Sequence, residues 1–129
     1  MNILIADDDR VLIQLISSRL RFKGFQVSVA FDATQAWMAA TRTSPDAILL
    51  DIQMPGGTGL EVFRKLKTSI KTSQIPVIVL SGSIDAEAAA GVRELGADEF
   101  LPKPVDIDRP YQTLRRLLGK EAQTAPGSG

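Results

Sequence analysis

The 129-residue sequence contains no cysteine and no histidine. This excludes disulfides, thiolate or imidazole metal sites, nucleophile pairs that need Cys or His, and a phosphohistidine on this chain. Long hydrophobic runs are also absent, because no apolar stretch approaches the roughly 18 residues of a membrane span. We expect a cytoplasmic protein that does not enter a membrane and whose chemistry uses carboxylate, hydroxyl and ammonium groups.

Net charge is lacking as well, since 15 basic residues balance 15 acidic ones. We therefore predict no direct binding to nucleic acid, because a balanced total gives no general attraction to polyanions. The length and the composition, with 44% hydrophobic and 23% charged residues, are typical of one globular domain. We place this domain at residues 1–118. Residues 119–129 contain Pro, Gly, Ser and Thr, and we expect a flexible tail, a linker or a cloning remnant there.

Five short segments are predicted to be β-strands. Residues 3–6, 47–50 and 77–80 are continuous aliphatic runs, which indicates strands buried on both faces. Residues 26–29 alternate polar and apolar side chains, which is typical of an edge strand, and residues 100–101 form a shorter apolar run. Helical spacing of apolar residues separates these segments. The alternation predicts an α/β fold with a single doubly wound parallel sheet and helices on both faces.

Three of the predicted helices have features that a structure can check. The third helix should begin after a cap at Thr58 and extend toward Ile70. The fourth, at about residues 85–95, should be the most weakly held, because its predicted buried face is mostly alanine. That face comprises Ala86, Ala89, Ala90, Val92 and Leu95. The first helix should bury an apolar stripe formed by Leu12, Leu15, Ile16 and Leu20.

Polar side chains follow the predicted strands, at the positions where ligands bind in open parallel sheets. We assign Asp9 to the N-cap of the first helix, because it directly precedes the apolar stripe. Asp51 has no such capping role, since Thr58 is available to cap the helix that follows it. The full set after the strands is Asp7, Asp8, Asp9, Asp51, Ser81 and Lys103.

A divalent cation with oxygen ligands suits this acidic cluster. Two carboxylates about 4 Å apart repel by about 4 kcal/mol at an effective dielectric constant of about 20, and Lys103 supplies only one positive charge against Asp7, Asp8 and Asp51. With no histidine or cysteine available, Mg²⁺ or Mn²⁺ is expected rather than Zn²⁺. Because bound Mg²⁺ accepts phosphate oxygens, the cluster indicates phosphoryl chemistry.

Four motifs, in this order along the chain, resemble those of one known family. Asp7-Asp8 follows the first strand, DIQMPGGTG at residues 51–59 begins as the third strand ends, Ser81-Gly82 follows the fourth strand, and Lys103-Pro104 follows the fifth. From residue 1 to about 118 the chain resembles the receiver domains of two-component response regulators. The resemblance implies a flavodoxin-like sheet with strand order 2-1-3-4-5.

The resemblance also implies a role for each site residue. Asp51 would be the phosphoacceptor, which takes a phosphoryl group from a sensor histidine kinase or a histidine phosphotransfer protein. Asp8, Asp51 and the backbone carbonyl of Gln53 would bind Mg²⁺ directly, and Asp7 would bind it through water. Lys103 would contact the phosphoryl oxygens.

The implied output is a conformational switch. Ser81 would move inward and hydrogen-bond the phosphoryl group, and this movement would shift the fourth helix and Phe100 between two arrangements. The family often has tyrosine at the Phe100 position, so the ring remains here but the hydroxyl is lost. An unidentified output partner would bind the face formed by the fourth helix, the fifth strand and a fifth helix predicted from the apolar spacing of Ile107, Tyr111, Leu114 and Leu118. The same face is the candidate surface for a homodimer. The Lys103–Pro104 peptide bond is expected to be cis.

Other functions fit the sequence less well. An aspartate-nucleophile phosphohydrolase usually has a second aspartate two residues after the nucleophile, where this chain has Gln53. A flavin or nucleotide binder would need a phosphate loop where three acids follow the first strand. A receiver-like module that is never phosphorylated usually lacks an acid or the lysine, and none is missing. We therefore expect a signalling protein that catalyses only its own phosphorylation and dephosphorylation.

Overall fold

The computed structural model describes residues 1–54, 59–82 and 86–119, except for the side chains of residues 86–89. Strands and helices alternate along the chain as predicted. The strands are β1 (Asn2–Ala6), β2 (Gln26–Ala30), β3 (Ala47–Asp51), β4 (Val77–Ser81) and β5 (Glu99–Pro102). The helices are α1 (Arg10–Phe22), α2 (Ala33–Thr43), α3 (Gly59–Thr68), α4 (Ala86–Glu94) and α5 (Arg109–Leu118).

All five strands are parallel and lie in the order β2-β1-β3-β4-β5. This confirms the predicted fold class and places β2 and β5 at the two edges of the sheet. Strands β1, β3, β4 and β5 are consecutive neighbours, so their carboxyl ends form one continuous rim. None of the described helices is long and apolar enough to cross a membrane.

The core consists of two hydrophobic layers, one on each face of the sheet. Successive side chains of a strand point to opposite faces. Ile3 and Ile5 therefore pack with residues of α1 and α5, whereas Leu4 and Ala6 pack with residues of α2, α3 and α4. Burial of both faces explains why the central strands are continuous aliphatic runs rather than alternating ones.

One prediction for α1 is wrong, because Leu15 is 51% exposed. The residues of α1 that are buried share one face of the helix, because the other three follow Ile13 by three, four and seven positions. Leu15 lies on the opposite face, and Leu12 is only partly buried at the flank of the buried face. The buried residues of α1 are Ile13, Ile16, Ser17 and Leu20.

The third and fourth helices also differ in detail from the predictions. Helix α3 ends at Thr68, and Ile70 in the loop beyond it is 98% exposed rather than part of the core. In α4, Val92 is buried, but Leu95 just beyond the helix is largely exposed. Ala90, predicted to be on the alanine face of this helix, is exposed. The cap at Thr58, the side chains of the other alanines on that face and the tail beyond residue 119 lie outside the described part of the chain. The weak attachment of α4 stays a prediction.

Candidate functional site

The rim of the sheet brings together the side chains predicted from the strand ends. Asp7 follows β1, Asp51 and Ser81 are the last residues of β3 and β4, and Lys103 follows β5. The backbone N–H of Lys103 donates to the carbonyl oxygen of Ser81 at 2.9 Å, which extends the pairing of β4 and β5 by one step. These residues are distant in sequence and become neighbours because parallel strands end at the same edge of the sheet.

Lys103 bridges two buried carboxylates. Its Nζ atom lies 2.8 Å from Oδ2 of Asp7 and 3.1 Å from Oδ2 of Asp51. Both aspartates are buried, whereas 23% of the Lys103 side chain remains exposed. The ammonium group is therefore held at the rim, within reach of a ligand that enters from solvent.

The second oxygen of each buried carboxylate is held by the backbone two residues further on. Oδ1 of Asp7 accepts a hydrogen bond from the N–H of Asp9 at 2.9 Å, and Oδ1 of Asp51 accepts one from the N–H of Gln53 at 2.8 Å. Such bonds are typical of aspartate in turns that follow a strand. Both carboxylates are thus fixed in orientation before any ligand binds.

Asp8 completes an acidic cluster with Asp7 and Asp51. Each of the three residues offers a carboxylate oxygen within 4.8 Å of the others, and Asp8 is exposed whereas the other two are buried. Three carboxylates against one ammonium leave an excess of negative charge. An all-oxygen, anionic donor set with one member open to solvent fits a hard divalent cation.

Burial and charge pairing shift the pKa values of two groups in the cluster. Burial raises the pKa of Asp7 above its ordinary value, and the bonds from Lys103 and Asp9 only partly offset this effect. Burial by itself would lower the pKa of Lys103, but the hydrogen bonds and charges of Asp7 and Asp51 outweigh it, so the pKa of the lysine is raised. Lys103 therefore carries its positive charge at any physiological pH.

Two local predictions are confirmed. The Asp9 side chain accepts a hydrogen bond from the N–H of Leu12 at 3.0 Å and caps α1. The peptide bond between Lys103 and Pro104 is cis.

Ser81 and Phe100 were both expected to take part in a switch, and they occupy different surroundings. The buried Ser81 hydroxyl donates to Oε1 of Gln53 at 3.1 Å. Phe100 pairs in register with Val79 and is partly buried in the layer that contains α2, α3 and α4. The contact between the Gln53 side chain and Ser81 is not among the sequence-based predictions, which concern the backbone carbonyl of Gln53 and the absence of a second aspartate at that position.

Gly59 is a second residue whose role was missed. A Cβ atom at this position would lie 2.2 Å from the carbonyl oxygen of Asp51 and 2.5 Å from Cα of Ile52. The first residue of α3 therefore packs directly against the backbone that carries Asp51. The last glycine of the DIQMPGGTG motif is the sequence signal for this close approach, because only glycine leaves the space free.

Comparison with known proteins agrees with this geometry. The chain is 36% identical over 126 residues to the transcriptional regulatory protein PrrA of Mycobacterium leprae, covering 98% of this chain and 53% of that protein. It is 35% identical over 118 residues to the response regulator MprA of the same species, covering 92% of this chain and 51% of the relative. The chain thus spans about half the length of these relatives.

Solved structures show the same architecture. The chemotaxis response regulator CheY4 of Vibrio cholerae superposes with a TM-score of 0.83 at 27% identity, covering 90% of this chain and 97% of that one. The sequence profile of the response regulator receiver domain matches residues 3–115. The rim chemistry, the strand order and these matches lead to one conclusion, that this chain belongs to the response regulator receiver domain family.

Proposed function

We propose that the chain is a phosphorylation-dependent signalling switch in which Asp51 accepts a phosphoryl group. The observation that carries this proposal is the position of Asp51, a buried carboxylate with one oxygen 3.1 Å from the Lys103 ammonium. Its neighbours Asp7 and Asp8 lie within 4.8 Å and complete a set that can bind a divalent cation. A nucleophilic carboxylate beside concentrated positive charge is what phosphoryl transfer requires.

The proposed donor is a phosphohistidine on a sensor histidine kinase or a histidine phosphotransfer protein. A carboxylate oxygen of Asp51 forms a bond to phosphorus while the N–P bond of the phosphohistidine breaks, and the imidazole nitrogen leaves with the electron pair. The product is an acyl phosphate on Asp51. Membership of the receiver domain family supports a kinase of this type as the partner.

Lys103 and Ser81 would stabilise the group after transfer. The Lys103 ammonium, held between Asp7 and Asp51, needs only a small displacement to pair with a phosphoryl oxygen. The Ser81 hydroxyl, at the end of the neighbouring strand, would donate a hydrogen bond to another oxygen. Both interactions place positive charge or a proton against oxygens that gain negative charge during transfer.

The cation completes the charge balance of the proposed reaction. Mg²⁺ or Mn²⁺ supplies two positive charges and a coordination position for a phosphoryl oxygen when it is bound. In the proposed arrangement Asp8, Asp51 and the backbone carbonyl of Gln53 hold the ion directly and Asp7 holds it through water. The all-oxygen character of the cluster supports this ion class, because the sequence has no histidine and no cysteine to provide an imidazole or thiolate ligand.

The proposed output is a changed surface on α4, β5 and α5. This face adjoins Ser81 through the pairing of β4 with β5, so a movement of Ser81 can be transmitted to it. We propose that an output partner or a second copy of the chain binds there. A cytoplasmic location belongs to the same proposal, and no direct role in nucleic acid binding is assigned to this domain.

Labelling with a small phosphodonor or with beryllofluoride, a phosphoryl mimic, tests the proposal. Intact mass spectrometry and fluorine NMR should show one modified site per chain with Mg²⁺ or Mn²⁺ present, and little modification in excess chelator. Asp51→Asn should abolish it. Asp46→Asn is the matched control, because Asp46 is an exposed aspartate before the opposite end of β3. Equal labelling of the Asp51→Asn variant, or equal labelling in chelator, would refute the assignment.

A further inference from the structure

Gln53 forms hydrogen bonds with both Asp51 and Ser81, the two residues whose contacts must change in the proposed reaction. Its backbone N–H donates to Oδ1 of Asp51 at 2.8 Å, and its side-chain oxygen accepts the hydroxyl proton of Ser81 at 3.1 Å. Ser81 is buried, whereas Gln53 is exposed at the rim. The hydroxyl of Ser81 is therefore already engaged before any phosphoryl group arrives.

A serine hydroxyl has only one proton to donate. While this proton is bonded to Gln53, the hydroxyl cannot donate it to an oxygen of a group attached to Asp51. The Ser81 bond to a phosphoryl group must replace the bond to Gln53. The amide of Gln53 and the phosphoryl group thus compete for the same proton.

We infer that Gln53 is a positioning residue that holds Ser81 in its unmodified arrangement and so opposes activation of the switch. This inference rests on the proposed function, since it concerns the response of Ser81 to a group on Asp51. It assigns to the Gln53 side chain a role separate from any cation contact of the Gln53 backbone. Removal of the side-chain acceptor should make the modified state easier to reach.

The expected size of the effect follows from the hydrogen bond that is lost. Neutral hydrogen bonds in proteins contribute a net stabilisation equivalent to about a 2- to 10-fold change in an equilibrium constant. Gln53→Met removes the amide acceptor while it keeps the length and the backbone of the residue. Because Gln53 is exposed, the replacement opens no cavity in the core.

The first test measures Ser81 directly in the unmodified protein. In the wild type, NMR couplings about the Cα–Cβ bond of Ser81 should show one dominant side-chain rotamer. In Gln53→Met the rotamer populations should become mixed. Gln14→Met, a replacement at an exposed position of α1, should leave them unchanged. An unchanged Ser81 rotamer in Gln53→Met would overturn the inference whether or not Asp51 is ever modified.

The second test measures the competition. With Mg²⁺ present, the beryllofluoride concentration that half-saturates Gln53→Met should be about 2- to 10-fold lower than for the wild type, as followed by fluorine NMR. In a Ser81→Ala background the same Gln53→Met change should have no effect, because the proton in question is gone. An equal half-saturation in wild type and Gln53→Met, or the same gain in both backgrounds, would refute the inference. A wild type that binds no beryllofluoride would instead refute the proposed function.

Discussion

Replacement of Asp7 with asparagine should stabilise the folded protein when no divalent cation is present. The 2.8 Å contact between Asp7 Oδ2 and Lys103 Nζ corresponds to an attraction of about 6 kcal/mol at an effective dielectric constant of about 20. Asp8 and Asp51 each have an oxygen within 4.8 Å of an oxygen of Asp7, so each repels Asp7 by at least about 3.5 kcal/mol on the same scale. The two repulsions together therefore offset the attraction, and the cost of burying the Asp7 charge is left uncompensated.

The magnitude follows from what asparagine removes and what it keeps. Burial of a carboxylate costs several kcal/mol, and asparagine carries no charge. Its side-chain oxygen can still accept the N–H of Asp9, and Lys103 keeps Asp51 as a partner at 3.1 Å. In urea titrations with chelator, we expect Asp7→Asn to raise the free energy of unfolding by about 1–3 kcal/mol. Asp9→Asn is the matched control and should change it by less than about 0.5 kcal/mol, because asparagine caps helices as well as aspartate does.

The pH dependence of this gain has a defined sign. Burial raises the pKa of Asp7 in the folded protein above the ordinary value of 3.8. A raised pKa means that Asp7 favours folding most below pH 3.8 and that this contribution is lost as the pH rises through the folded-state pKa. The gain from Asp7→Asn should be largest at neutral pH and should shrink as the pH falls toward 3.8. If Asp7→Asn instead lowers the free energy of unfolding by about 3–5 kcal/mol at neutral pH, as expected when a stabilising buried ion pair is broken, the reasoning is refuted.

Two further predictions concern glycine contacts and cation binding. Gly59→Ala should destabilise the protein by about 3 kcal/mol or more, because the new methyl group would overlap the backbone of Asp51. Gly91→Ala in α4 should stabilise it by about 0.5–1 kcal/mol, because the new methyl group meets nothing within 4 Å. Thermal unfolding of both variants checks this pair, and equal effects would contradict the prediction. Asp8→Asn should weaken Mg²⁺ binding in calorimetry far more than Asp9→Asn, since Asp9 caps α1, and similar losses would show that Asp9 belongs to the cation site.

The sequence predicted the sheet and the convergence of the site residues for one physical reason. Strands buried on both faces must be continuous aliphatic runs, and parallel strands must end at one edge. These two rules place Asp7, Asp51, Ser81 and Lys103 on a common rim without knowledge of any side-chain rotamer. The cap at Asp9 was predictable for a similar reason, since it depends only on residues adjacent in the chain.

The features that were predicted wrongly or not predicted at all depend on contacts between segments. Leu15 is as apolar as its buried neighbours in α1, and only the rotation of the helix against the sheet decides that Ile13 is buried instead. The bond between Ser81 and Gln53 joins residues 28 positions apart and requires specific side-chain conformations. The close approach of Gly59 to Asp51 depends on where α3 begins in space. Sequence periodicity contains none of this information.

The strand order also has a consequence for the biosynthesis of the chain. Lys103 is 52 residues downstream of Asp51, and it meets Asp7 at the rim only after β1, β3, β4 and β5 have all paired. A nascent chain on the ribosome, or a fragment that ends before β5, contains the aspartates but not the ammonium that bridges them. Pairing of strands distant in sequence is also a slow step in folding. If Asp51 accepts a phosphoryl group as proposed, incomplete chains should therefore be poor phosphoacceptors.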